Sequence, residues 1–370
     1  MKPCRFFVSA LIWMCFWNSA AVAAETVRVA LIAPFTGLGS ILGDFIKKGV
    51  DLAVEDINSK GGINGRKLEV LTYDDQANPS TAMNVVRKVI SDKVVAIFGP
   101  NMSSAVLGVH TLAKQAKIPM LVGATSPNLD LSKTNNPFLF RLRANDEARV
   151  SAMVSFAAEK LGVKKPGILY GTTDYCTAAL AVAEREFNNR GIEVAAKEQI
   201  KEGDKDASGQ LLKLKNANFD CLIGFTHEPE AAVAIMQARQ LQLDVPIMGF
   251  SAWGSNVVVN LAKEAMVGIY AALGFDENDP SAAVAGFVKA YKERYNGESP
   301  ADPAQAYYDG MYIMAGAIKA AKSTHGPDLV KALESVEIHG VQGILKTDAN
   351  HNFTSFTFMA RFDGKDWIQQ

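Results

Sequence analysis

Residues 94–110 read VVAIFGPNMSSAVLGVH: an apolar strand runs through Gly99 and Pro100 into a pair of serines at the mouth of a helix. The pattern repeats in residues 118–132, IPMLVGATSPNLDLS, where a strand-like run to Val122 empties into Gly123, Ala124, Thr125, Ser126 and Pro127. Two strand–loop–helix units in succession predict parallel strands, because a helical crossover returns the chain to the same end of the sheet. In open parallel sheets ligands bind beyond the carboxyl ends of the strands. Both loops therefore face whatever the fold encloses.

The alternation extends in both directions. Upstream, VRVALIAPF from Val27 reads as a strand, residues 42–58 as a helix and residues 68–73 as a strand. Asn78 caps the next helix, with Pro79 at its first position. Downstream a helix follows Asn145 and Asp146 to Lys160, and the alternation restarts with GILYG, a helix over 178–190, EVAAKEQI, a helix over 207–216, DCLIGF and a helix over 230–241. VPIMGF and VGIYAAL are further strands. Helices over 282–295 and 304–322 and short strands near 343–346, 354–362 and Trp367 close the chain, a tail able to return to the first lobe. The pattern predicts an α/β protein of two doubly wound parallel-sheet lobes. Residues 25–144 with 276–350 are assigned to one lobe, and 145–275 with 351–370 to the other. No low-complexity linker separates them, so the connection is expected to be short and ordered, as in a hinge.

The 370 residues exceed the roughly 250–300 at which single cores stop growing. Residues 1–24 have the form of an export signal: Lys2 and Arg5, an apolar run over 6–16, then the small residues of SAAVAAE. Trp13 and Met14 are too bulky to precede a lipidated Cys15, so a soluble exported protein is expected rather than a lipoprotein. No later run reaches the ~18 apolar residues of a membrane span. The formal charge of -1 becomes -3 once Lys2 and Arg5 are removed, and neither value suggests a nucleic-acid partner or a polybasic membrane patch. Cys176 lies beyond the end of one strand and Cys221 begins another, which predicts free thiols rather than a disulfide.

Ser103, Ser104, Thr125 and Ser126 are small hydroxyl donors at helix starts, where backbone N–H groups are unpaired and the helix dipole favours a carboxylate. Simple capping by Ser103 and Ser126 is the competing reading. The recurrence in two consecutive loops favours binding. Gly37, Gly39 and Gly43 miss the dinucleotide spacing, with Leu42 where the third glycine is needed. GFSAWG carries Trp253 where a nucleophile elbow requires glycine, and HEPEA carries Ala231 where a zinc helix needs its second histidine. Asp74 and Asp75 read as turn and cap residues. No motif commits the chain to catalysis, a cofactor or a metal. Tyr175 and Trp253 follow strands of the second lobe and are candidates for the opposite wall, against readings as a partly buried aromatic and as loop packing.

Together VRVALIAPFTG, GVDLAVEDINSKGGINGRKLEVLTYDDQANPSTA, FGPNMSSAV, GATSPNLD, FLFRLRANDEAR and LYGTTDYCTAALA resemble the leucine/isoleucine/valine-binding protein family, the periplasmic solute receptors of hydrophobic amino-acid ABC transporters. The resemblance covers essentially the whole chain after the signal. It implies a type I clamshell: two flavodoxin-like lobes joined by three crossovers, monomeric, closing at a hinge on a ligand and presented to an inner-membrane permease. It places Ser103 and Thr125 on the ligand carboxylate, with the backbone of residues 123–125 beside them, and Tyr175 over the ligand. Two departures accompany it. Ala77 and Met102 stand where the family's type protein has a small disulfide. No acid follows IMG to pair a ligand ammonium, for the chain reads Phe250, Ser251, Ala252, Trp253. Glu228 or Asp276 are possible substitutes, and His227 joins the candidate lining. Phe250 and Trp253 suggest a flat, ring-shaped ligand, and relatives with this fold bind aromatic acids, amides or urea. The expectation is a non-enzymatic uptake receptor for a small carboxylate, either a hydrophobic amino acid or an aromatic acid. A sensory subunit using the same clamshell is the alternative.

Overall fold

The computed structural model describes residues 26–370; the export signal expected over 1–24 lies outside the described residues. The first part of the chain contains β1 (Val27–Ala33), α1 (Ser40–Ser59), β2 (Leu68–Asp74), α2 (Pro79–Ser91), β3 (Ala96–Phe98), α3 (Ser103–Ala116), β4 (Met120–Val122), the single turn α4 (Leu131–Thr134) and β5 (Leu139–Arg141). Its five strands form a parallel sheet in the order β2-β1-β3-β4-β5. The apolar run of β1 follows from burial on both faces. Val29 and Leu31 enter the core shared with α1 and the C-terminal helices, whereas Ala30 and Ile32 enter the core under α2 and α3. Asn78 caps α2 as its position beside Pro79 predicts, its side chain accepting from the amides of Ser80 (2.9 Å) and Thr81 (3.2 Å).

The second part contains α5 (Asp146–Glu159), β6 (Pro166–Tyr170), α6 (Asp174–Asn189), β7 (Ala196–Gln199), α7 (Ser208–Asn216), β8 (Cys221–Phe225), α8 (Glu228–Gln240), β9 (Ile247–Gly249), α9 (Asn256–Ala262) and β10 (Tyr270–Leu273). The chain then crosses back through α10 (Ala282–Arg294), α11 (Asp302–Ala321), α12 (Gly326–Ser335) and the small hairpin β11 (Ile338–Gly340) and β12 (Gly343–Leu345), before ending in β13 (Phe358–Phe362) and β14 (Trp367–Gln369). The second sheet runs β14-β13-β10-β9-β8-β6-β7. Three passages connect the two sheets: after β5, after β10 and after β12. The α/β architecture of two doubly wound lobes is therefore as the sequence predicts.

The tail lies with the second lobe, to which residues 351–370 are assigned, and does not return to the first. β13 pairs antiparallel with β10, and β14 with β13, so the chain ends on the second sheet and not the first. Only a short segment touches the first sheet, where Arg141 donates its amide to the His351 carbonyl (2.9 Å) and Phe353 joins the first core. Strand β5 is invisible in the hydropathy because it is three residues long and ends on an arginine. Arg141 is buried there by donating to the carbonyls of Ala124 (3.2 Å) and Ser126 (2.6 Å) and to Asp130 (2.8 Å). Cys221 opens β8 opposite Pro166 at the start of β6, far along the strand from Cys176 in α6; both thiols are buried and unbonded.

Helices α1 and α11 touch through Gly49, where an added Cβ would lie 2.0 Å from the Ala304 carbonyl oxygen. We expect Gly49→Val to lower the unfolding free energy by about 2–3 kcal/mol through overpacking. A urea midpoint that stays put at constant m-value would show that the two helices do not pack so closely.

Candidate functional site

The strand order β1-β3-β4-β5 brings the loops after β3 and β4 side by side. Met102 offers no side-chain cap to α3, so the first-turn amides of that helix stay without the usual partner. Ser126 caps its own short turn by accepting from the Asn128 amide (3.2 Å). Ser103 caps nothing: its oxygen accepts from the Ser126 amide (3.3 Å), which ties the two loops together and leaves the hydroxyl proton for an acceptor in the cleft. Thr125 donates its hydroxyl to Asp146 (2.7 Å) at the start of α5. Gly123 is held at both ends, its N–H donating to the Tyr307 hydroxyl (3.1 Å) and its carbonyl accepting from Arg143 Nη1 (3.2 Å). A side chain at Gly123 would collide with Asn101 Oδ1 at 2.3 Å and the Tyr307 ring at 2.6 Å.

The facing wall comes from the second lobe. Tyr175, in the first turn of α6, stacks on Phe250 (centroids 4.2 Å apart) and on His227 (5.0 Å). Its hydroxyl lies 3.5 Å from Ser251 Oγ, which accepts from Arg149 Nη1 (2.9 Å). Burial pushes the His227 imidazole down to about 4, so it is neutral at physiological pH. Burial raises the Glu228 carboxyl, and the Arg143 charge works against that rise. Between the walls lies a cleft of about 460 Å³ lined by Ser103, Gly123, Thr125, Tyr175, His227 and Glu228 among others. That volume falls in the range of pockets that bury a small organic ligand.

Four expected residues do not line it. Trp253 is fully buried, its indole laid over β8 and β9 where Gly224 and Gly249 leave room: a Cβ there would come within 1.7 and 2.2 Å of the ring. Its Nε1 donates to Thr226 (3.1 Å), the partner a buried indole requires. Phe250 is buried as the support beneath Tyr175. Ala124 faces the core, and Ser104, one position along α3, points away from the cleft that Ser103 reaches, because adjacent helical residues do not share a face. Asp74 and Asp75 organise a turn: Asp74 accepts from the amides of Phe35 and Gln76 (both 2.9 Å), and Asp75 from Ala77 (3.1 Å).

Sequence reasoning missed the charged floor. Arg143 lines the cleft and pairs with Asp302 at the start of α11 (2.8 Å). Arg149, fully buried, pairs with Asp146 (3.3 Å) and lies 3.8 Å from Asp302. Burial opposes ionisation of Asp302, but the two guanidiniums hold it below the usual carboxylate range. For Asp146 burial wins and its carboxyl is raised despite Arg149 and Thr125. The only signal in the sequence was the spacing of Arg143, Asp146 and Arg149 around a strand-to-helix turn.

Residues 26–366 match the family model described as periplasmic binding protein. The leucine-, isoleucine-, valine-, threonine-, and alanine-binding protein of Pseudomonas aeruginosa is 27% identical over 347 residues, 92% of this chain and 90% of that protein. The Leu/Ile/Val-binding protein of Escherichia coli is 25% identical over 359 residues, 96% of this chain and 95% of that protein. Among solved structures, the branched-chain amino acid transporter substrate binding protein of Streptococcus pneumoniae in complex with isoleucine aligns with TM-score 0.84 and 27% identity, over 94% of this chain and all of that one. A solute binding protein from R. palustris in complex with benzoate shares the fold at TM-score 0.85 and 21% identity, over 93% of this chain and 95% of that one.

Because Trp253 fills a hollow in the second core, Trp253→Ala is expected to cost about 3–5 kcal/mol of stability. A loss below ~1 kcal/mol on chemical denaturation would place the indole outside the core. Asp75 is fully buried and burial raises its carboxyl from 3.8 to about 6. The fold thus prefers the neutral acid, and stability falls as pH rises through that window. Asp75→Asn is expected to raise the urea midpoint at pH 8, by up to ~3 kcal/mol in stability, with no gain near pH 4. An equal effect at both pH values would show that ionisation of Asp75 is not the cause.

Proposed function

The chain belongs to the periplasmic binding protein family, and we propose that within it this protein is the exported solute receptor of an ABC uptake transporter. It holds a small carboxylate, a hydrophobic or branched-chain amino acid or an aromatic acid, between its two lobes and delivers it to an inner-membrane permease. The observation that carries this reading is the uncapped first turn of α3 with Ser103 turned into the cleft, opposite Tyr175. A carboxylate leaving water loses several kcal/mol of solvation unless donors replace it. The helix N-terminus and a hydroxyl supply charge-assisted hydrogen bonds there. The five amino acids named for the Pseudomonas aeruginosa relative and the ligands bound in the Streptococcus pneumoniae and R. palustris structures are carboxylates, which supports the same class here.

Ligand capture is binding and hinge closure, with no bond made or broken. Ser103 and Thr125 belong to the first lobe; Tyr175, His227 and Glu228 belong to the second. A ligand spanning both favours the closed arrangement by its differential affinity for it. Residues 1–24 act as the export signal and the receptor works as a periplasmic monomer, each lobe burying its own core. No helix among the described residues is long and apolar enough to cross a membrane.

Thermal unfolding of the ligand-stripped chain against hydrophobic amino acids and benzoate- or cinnamate-type acids tests the reading. A true ligand at a hundredfold excess over Kd stabilises by roughly 2.7 kcal/mol. Ser103→Ala is expected to weaken that ligand about five- to tenfold, as loss of a single hydrogen bond does. Unchanged affinity in that variant, or no stabilisation by either panel, would sink the carboxylate receptor.

A further inference from the structure

The hydrogen-bond inventory of the cleft narrows the ligand, given the carboxylate receptor just described. We propose that the acid it takes carries no α-ammonium group, and that Arg143 is the specificity-determining residue that excludes one.

Every carbonyl of the loop after β4 is occupied. That of Gly123 accepts from Arg143 Nη1 (3.2 Å), that of Ala124 from Arg141 Nε (3.2 Å), that of Thr125 from the Asp146 amide (2.9 Å), and that of Ser126 from Arg141 Nη2 (2.6 Å). The donors of the same loop are not all spent: the amides of Ala124 and Thr125 find no acceptor among the described residues. A loop with filled acceptors and spare donors suits an anion. An ammonium, which has three donors and no acceptor, meets no partner there.

The charges agree with the hydrogen bonds. The acids on this side of the cleft are engaged, Asp302 by Arg143 (2.8 Å) and Asp146 by Thr125 (2.7 Å) and Arg149 (3.3 Å). Ser251, which lines the cleft just past β9, is turned by Arg149 into an acceptor for a guanidinium. A ligand ammonium would therefore be desolvated beside the fixed cation of Arg143 without a free counter-ion, an arrangement buried charge does not tolerate. The remaining acids of the cleft lie on the second-lobe wall and beside the second passage. On that wall Glu230 is spent on the Gly203 amide (2.7 Å), and burial raises both Glu202 and Glu228. An amino acid would have to place its ammonium against Glu228, or against Asp276 beside the second passage, which accepts from the Asn278 amide (2.9 Å).

Matched pairs differing only in the amine decide between these. Calorimetric titration of the ligand-stripped chain with 3-phenylpropionate against phenylalanine, and with 4-methylpentanoate against leucine, is expected to show the amine-free member of a pair binding about tenfold tighter or more. Arg143→Met, which frees the Gly123 carbonyl and removes the cation, should shrink that preference to about threefold or less. If the lone Asp302 prevents this variant from folding, Arg143→Met with Asp302→Asn removes the pair together and carries the same expectation. Equal or tighter binding of the amine-bearing members by the wild type would overturn the proposal, and its loss in Glu228→Gln would put the ammonium on the second wall. A preference that survives both Arg143 variants would overturn the role of Arg143. Silence from all four compounds and from benzoate would remove the carboxylate receptor itself, and this inference with it.

Discussion

The two guanidinium–carboxylate pairs at the hinge are the constraint around which the rest is arranged. Arg143 follows β5, Asp146 and Arg149 lie in the first turns of α5, and Asp302 begins α11; the approach of Arg149 to Asp302 (3.8 Å) links the two pairs across the lobe boundary. Ions taken out of water cost several kcal/mol each unless well paired, which makes their mutual placement obligatory once the hinge is buried. The second passage is shaped to fit them: at Gly274 a Cβ would lie 3.0 Å from Asp302 and 3.3 Å from Arg149. Removing Asp302 would leave Arg143 without its counter-charge, and removing Asp146 would leave Arg149 only the more distant Asp302 (3.8 Å).

From that floor the first-lobe wall inherits its rigidity. Arg143 holds the Gly123 carbonyl and Asp146 holds both the hydroxyl and the carbonyl of Thr125, so the binding loop is fixed by groups that also fix the hinge. Preorganised donors of this kind spare a ligand the cost of ordering them. The second wall is built differently. Tyr175 is positioned by stacking on Phe250 and His227 and presents its hydroxyl beside Ser251, whose own position is set by Arg149. Hinge and both walls thus share Arg149, a route by which ligand contact and lobe position can be coupled.

The alternation of apolar runs and amphipathic helices was enough to specify two doubly wound lobes, since period and strand length are local properties. Asn78 before Pro79 marked a helix start for a local reason too. The loops after β3 and β4 were legible as a site because parallel topology puts such loops at the carboxyl edge. Ser103 and Tyr175 fall in the cleft accordingly. Local pattern failed at β5, where a buried arginine replaces the expected apolar residue, and at the tail, whose pairing partner β10 lies some ninety residues earlier in the chain.

Which way a loop side chain points was decided by tertiary structure alone. Trp253 reads as a wall residue in sequence, yet it turns inward because Gly224, one strand away, and Gly249, in the strand it follows, leave a hollow of its shape and Thr226 supplies its hydrogen bond. The partners of the binding loop lie farther off still: Tyr307 reaches Gly123 across 184 residues and Asp302 reaches Arg143 across 159. The sequence by itself determined the layers, the strand direction and the end of the sheet where the cleft opens, because these follow from backbone hydrogen bonding and hydrophobic period. Only the folded chain decided which donors stay free and which charges are already paired, because those depend on atoms brought together from opposite ends of the molecule.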